Sequence, residues 1–294
     1  FQTKMWNIVR FSLMQIQKES PVPETDAPST LIDRWMLANL SKTVAEVTES
    51  MDAYLFDKGL KTIREFAWNI MADEYLEFVK GRLYSEDPLR AGAIYTLKTT
   101  LDALCKMLSP YIPFFAQECY HHLSGGKRII DQPWTTFSYA DEDALRDGDL
   151  VVKIVSLLRK YKHDSGLALN SPLGNVTIYT PSHDIDDSGD LGRTINATVV
   201  WKAEEPALEK TVGDVAFNKG VVGKTLRNKA GAFMAAVNAL SDADKITPPK
   251  SILVEGEEIS VPEGAWTTSY IYSVFGESVD VIMLDDVMIT VKRT

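Results

Sequence analysis

Between Ile32 and Met51, six apolar side chains recur at intervals of 4, 4, 4, 3 and 4: Ile32, Met36, Leu40, Val44, Val47 and Met51. That spacing lays them along one stripe of an α-helix and is incompatible with a strand, whose faces alternate every second residue. A helix of this length with one apolar stripe has to bury it against other helices. The neighbouring sequence supplies them. Met5, Ile8, Val9, Ser12, Leu13 and Ile16 share a face over residues 1–17. Leu60, Ile63, Ala67 and Ile70, widened by Phe66, Met71, Tyr75 and Phe78, make a third stripe. Ile94, Leu97, Leu101, Leu104 and Leu108 make a fourth, beginning after Pro88. Pro110 and Pro113 interrupt, and a short fifth helix reaches about Leu123 before Gly125-Gly126. Ser20 to Pro28 reads as a connection, with Ser29 placed to cap the helix that follows. Such helices joined by short loops predict an antiparallel bundle over residues 1–137.

From residue 138 the period changes. The acidic run 141–149 marks a boundary and a helix start, and Leu150, Ile154, Leu157, Leu158 and Tyr161 carry one more helix. Short β-type runs follow at Val176–Thr180, Thr194–Trp201, Ile252–Val254, Glu258–Val261, Thr268–Phe275 and, in pieces, Val279–Val291. One helix, about Val222 to Leu240, interrupts them. The expected fold class is therefore multi-domain α and α+β: a helical bundle, then over 138–294 a small accessory α+β domain with a mostly antiparallel sheet.

Charge narrows the function. The 294 residues carry 31 Lys+Arg against 41 Asp+Glu, a net of −10, of which −2 falls in 1–137 and −8 in 138–294. That argues against a general nucleic-acid binder, whose footprint is basic, but leaves room for a local patch. No stretch approaches the roughly 18–20 apolar residues of a membrane span. Residue 1 is Phe and no signal-peptide core follows, so the chain reads as a cytoplasmic fragment of a longer protein. Cys105 and Cys119 sit on apolar helical patterns and read as buried core thiols in a reducing compartment.

No catalytic constellation emerges. His121, His122, His163 and His183 lack metal-ligand spacing. The segment from His183 to Asp190 superficially suggests a calcium loop but lacks the distal Glu, and reads as a solvated Asp-rich turn. Gly223-Lys224-Thr225 resembles the end of a phosphate loop, yet Asn218 stands where that motif needs Gly. No catalytic residue, metal or cofactor of the chain's own is expected.

What remains is Lys4, Trp6, Asn7, Arg10 and Phe11 within two turns of the first helix, with Arg34-Trp35 opening the second. Lys4, Asn7 and Phe11 share a face. Basic side chains beside aromatic ones suit phosphate contact together with stacking on an unpaired base. The plain alternative makes Trp6, Phe11 and Trp35 core and leaves Lys4 and Arg34 merely solvated.

Taken in order, these residues resemble a family. Lys4-Met5-Trp6-Asn7 followed by Arg10-Phe11 is similar to the KLWN-x-x-RF stretch of class I aminoacyl-tRNA synthetases for branched aliphatic amino acids. Asp33-Arg34-Trp35-Met36-Leu37 resembles their DRWIL. Trp68-Asn69, the run from Ala72 to Glu77, Val79-Lys80 and Arg82-Leu83-Tyr84 are similar to the valyl members rather than the isoleucyl or leucyl ones. Leu108-Ser109-Pro110-Tyr111-Ile112-Pro113-Phe114, Gln117-Glu118 and Gln132-Pro133-Trp134 resemble the LHPFMPF-x-x-EE and QPW runs, with Ser109 and Gln117 departing from the usual His and Glu. Beyond 137 the likeness is weaker, at 158–162, 166–173 and 217–224, and is to archaeal-type enzymes.

The resemblance implies an anticodon-binding bundle whose partners are tRNA (valine isoacceptors) and the catalytic domain of the same parent chain. That parent would be a monomeric ligase of protein biosynthesis that consumes ATP. The family's catalytic HIGH and KMSKS signatures do not occur in these residues, so the fragment itself is expected to be inactive, with no cofactor. The candidate RNA contacts are Lys4, Trp6, Asn7, Arg10, Arg34, Trp35, Lys80 and Arg82 in the bundle, and Lys219, Lys224 and Arg227 in the second domain. Two other readings are an isoleucyl counterpart and a free-standing KH-like module, whose GXXG loop Gly220-Val221-Val222-Gly223 mimics. A purely structural interaction domain would have no RNA affinity.

Overall fold

The computed structural model describes residues 2–18, 30–180, 185 and 187–292. The chain divides into two compact units, one of residues 1–173 with 184–199 and one of 174–183 with 200–294. The division expected at 137/138 thus falls inside the first unit.

In the first unit, helix α1 (Gln2–Lys18) buries the face that its spacing predicts: Met5, Ile8, Val9, Ser12, Leu13 and Ile16. Helix α2 (Leu31–Asp52) buries Ile32, Met36, Leu40, Val44 and Val47. Its cap is Thr30, whose side chain accepts the Asp33 amide, while the expected Ser29 cap and the 20–28 connection lie outside the described residues. At the other end α2 closes in a Schellman turn: the Tyr54 amide donates to Met51 O and the Leu55 amide to Ser50 O. Tyr54 holds the left-handed position, φ 59°, where glycine is usual; a side chain there costs about 1 kcal/mol.

The third stripe is not one helix but three joined segments. Helix α3 (Phe56–Glu65) passes into a π-helical stretch (Phe66–Tyr75) and then helix α4 (Leu76–Leu83). Ala67, Met71 and Tyr75, each four residues apart, line the fully buried face of this stretch. Helix α5 (Arg90–Leu108) buries Ile94, Leu97, Leu101, Leu104 and Leu108, and helix α6 (Pro113–Ser124) starts on Pro113 and ends at left-handed Gly125. Cys105 and Cys119 are buried free thiols whose pKa values burial raises.

The acidic run 141–149 is the first turns of a longer helix, α7 (Glu142–Asp164), capped by Asp141 accepting the Ala144 amide. Gly148 lets Trp35 close against α7, since a Cβ there would sit 2.3 Å from the indole. The strand expected over 194–201 begins only at Ala197, because Asp190–Ile195 form a short helix, α8, ended by Asn196 at φ 53°.

In the second unit, strands β1 (Gly174–Tyr179), β2 (Ala197–Lys202), β3 (Glu209–Phe217), β6 (Trp266–Val274), β7 (Glu277–Leu284) and β8 (Val287–Lys292) form one sheet in the order β2-β1-β8-β7-β6-β3. A hairpin of β4 (Ser251–Val254) and β5 (Glu257–Ser260) stands apart from it. Strand β3 was not expected, because a bulge between Val212 and Val215 breaks its alternation. The helix expected over 222–240 is interrupted. It consists of α9 (Lys219–Leu226), a single 3₁₀ turn at Arg227–Lys229 and α10 (Ala230–Asn238), with Arg227 at φ 46°. A further short helix, α11 (Asp242–Ile246), follows. Val222, Phe233 and Val237 pack with Ile252, Val254 and Trp266 into this unit's own core.

Candidate functional site

The exposed polar face of α1 carries the first group of candidates. Lys4 reaches the π-helical stretch, where its Nζ lies 3.1 Å from Asp73 Oδ1 and 5.6 Å from the centroid of Trp68. Arg64 approaches the same ring at 5.1 Å. Two cations thus meet one indole in a seam between α1 and the segment following α3, with Asp73 compensating Lys4. Asn7 and Arg10 also stand exposed on α1. Trp6 is 41% exposed and meets Phe115 of α6 edge-on, centroids 6.4 Å apart.

Arg34 and Trp35 serve another purpose. Arg34 pairs with Asp141 at 3.0 Å, and the Trp35 indole Nε1 donates to Asp149 at 2.8 Å, so both fasten α2 to α7. Trp35 is only 3% exposed, which removes it from any stacking role. Lys80 is exposed and pairs with Glu77 on its own helix.

Arg82 is the sharpest correction among the expected contacts, because no part of it meets solvent. Its Nη1 and Nη2 donate to the two Asp33 oxygens at 2.8 and 3.0 Å, Nη1 donates to Leu89 O at 3.0 Å, and Nη2 to Thr30 Oγ1 at 3.3 Å. Tyr75 Oη donates to Asp33 Oδ1 at 2.7 Å. The Arg82 Nε is 3.0 Å from Asp190 Oδ1, an ion-pair distance at an angle too poor for a hydrogen bond. Burial pushes the guanidinium pKa down, but Asp33 and Asp190 outweigh it and hold the charge. Burial raises the Asp190 pKa to about 6, against the pull of Arg82 and Arg193. Arg82 is thus the cation that neutralises buried acids from α2 and α8, not a hand held out to RNA.

The acids expected to form a solvated turn are also internal. Asp187 accepts the Leu191 amide at 2.6 Å and Asp190 is fully buried, while His183, Asp184 and Asp186 lie outside the described residues. Sequence reasoning also passed over Lys162 of α7. Its buried ammonium donates to Leu169 O, Ser171 O and Ile195 O at 2.9, 2.7 and 2.5 Å, and desolvation lowers its pKa.

In the second unit Lys219, Lys224 and Arg227 are all exposed. Arg227 lies beyond the end of α9, on a single 3₁₀ turn, and so stands apart from the face of Lys224. The Asn218 side chain accepts the Val221 amide at the start of α9. Lys229 is paired with Glu257.

Residues 33–178 match the family described as the anticodon-binding domain of tRNA ligase. This segment belongs to that family. Over 308 residues the whole chain is 37% identical to a valine–tRNA ligase of Methanosarcina acetivorans, covering 34% of that protein. It is 38% identical over 248 residues to the valine–tRNA ligase of Archaeoglobus fulgidus, with 83% of the chain and 28% of that protein aligned. The counterpart in Natronomonas pharaonis is 32% identical over 299 residues, 99% of the chain and 34% of that protein. The chain therefore spans about a third of the length of the curated relatives it matches. Among the described residues no helix is long and apolar enough to cross a membrane.

Proposed function

We propose that this chain is the tRNA-gripping part of a valine–tRNA ligase, and that α1 with the π-helical stretch is the surface by which it holds the anticodon arm. The observation that supports this reading is the seam at Trp68, where Lys4 and Arg64 flank an indole, with Asn7 and Arg10 also exposed on α1. Phosphates suit the cations, and an unpaired base suits the ring and the Asn7 amide. Joining valine to tRNA with ATP would belong to the remainder of such a ligase, working as a monomer in the cytoplasm.

The test is a titration of the 294-residue chain with valine tRNA and with the same tRNA carrying a swapped anticodon. Weaker binding of the swapped tRNA is expected. Arg10→Ala should shrink that difference, and Lys80→Ala should weaken both tRNAs alike and flatten the salt dependence. Equal affinity of the unaltered chain for the two tRNAs overturns anticodon reading.

A further inference from the structure

One end of the bundle displays aromatic rings that no packing demand explains. Tyr54 is 79% exposed, Phe56 is 49% exposed, and their rings stand edge to face, centroids 6.1 Å apart. Tyr54 occupies the left-handed position of the Schellman turn, where glycine would be free of strain, so neither local conformation nor burial accounts for its ring. The turn is pinned from across the bundle. Tyr111 Oη donates to Phe56 O at 2.9 Å, and a Cβ on Gly59 would lie 2.6 Å from that same oxygen. Three residues beyond Tyr111, Phe114 is 92% exposed, and the next residue, Phe115, is the one that Trp6 contacts. Lys58, Lys61 and Arg64 stand exposed along α3 between the turn and the Trp68 seam, with Asp52, Asp57 and Glu65 among them.

We infer that the Tyr54–Phe56 turn, with Phe114, is a stacking platform for unpaired bases of the RNA loop, and that phosphates of the same strand run along Lys58, Lys61 and Arg64. This rests on the RNA-binding reading above. Exposed rings bordering cations are how single-stranded nucleic acid is held without base pairing, although Lys61 here also pairs with Glu65. Tyr54 holds its exposed ring on a left-handed backbone that glycine would adopt without strain.

The experiment separates this inference from the reading beneath it. The 294-residue chain is titrated with an RNA stem-loop carrying a valine anticodon and a fluorescent base analogue in the loop, and with a fully paired duplex as control. Tyr54→Gly should raise the melting temperature, because it relieves the left-handed strain, yet weaken loop binding about tenfold. Tyr54→Phe should keep the affinity, and Phe114→Ala should reduce both the affinity and the quenching of the base analogue. If the unaltered chain binds neither RNA, the RNA-binding reading fails. If it binds the loop and Tyr54→Gly and Phe114→Ala bind it equally well, the platform alone is overturned. A Tyr54→Gly variant that is less stable would show the ring to be structural, which also overturns the platform.

Discussion

Arg82 and Asp33 face each other through two parallel hydrogen bonds of 2.8 and 3.0 Å, and neither side chain meets solvent. The pair joins α4 to the first turn of α2, so the register between these helices depends on a planar, two-pronged contact. Arg82→Met would leave Asp33 and Asp190 buried without their shared cation. The expected loss is about 3–5 kcal/mol in urea unfolding. Arg82→Lys should also destabilise, because an ammonium cannot reproduce the fork. A loss below about 1 kcal/mol for both variants would contradict this role.

Asp190 gives the first unit a pH dependence of known sign. Its folded pKa lies near 6 rather than 3.8, so its contribution to stability is complete below pH 4 and is lost as pH rises through 6. Asp190→Asn removes that titration. The stability of the variant minus that of the natural chain should rise by up to about 3 kcal/mol across this window, then stay level. Parallel profiles from pH 4 to 7 would refute the assignment.

Gly148→Ala ought to help an isolated helix by about 1 kcal/mol. Here the new methyl would land 2.3–2.7 Å from Trp35 atoms, so a net destabilisation of about 1–3 kcal/mol is expected, read as a lower urea midpoint. A stabilised variant would mean that Trp35 can move aside.

The cations of α9 are expected to take no part in gripping RNA, since the Asn218 side chain already caps the Val221 amide and Arg227 is set apart from Lys224. Reversing Lys219 and Lys224 to Glu together should leave tRNA affinity within about twofold and its salt slope unchanged. A slope reduced by about two would assign both lysines to phosphates.

Much of the bundle is legible because its helices bury continuous stripes, and Ile32, Met36, Leu40 and Val44 need only their spacing to be placed. Strand β3 escapes because its bulge at Gly213 and Asp214 shifts the alternation. The site was harder to read for a different reason. Arg82 belongs to a residue type that is mostly exposed, and Trp35 to one that serves core and interface alike, and only partners distant in sequence settle where they go. One signal was available. Asp33 shares its face with Leu37, Leu40 and Val44, and Arg82 with Phe78 and Val79. A carboxylate and a guanidinium on two apolar stripes have to meet.

The contacts of Lys162 carry a consequence for synthesis. Its third acceptor, Ile195 O, lies 33 residues further along the chain, and Asp190, which faces Arg82, emerges nearly as late. At roughly 5–20 residues per second on the ribosome, α7 exists for seconds before its ammonium can be fully coordinated. Until Ile195 is made, the Lys162 ammonium has only the Leu169 and Ser171 carbonyls of its three acceptors to draw on.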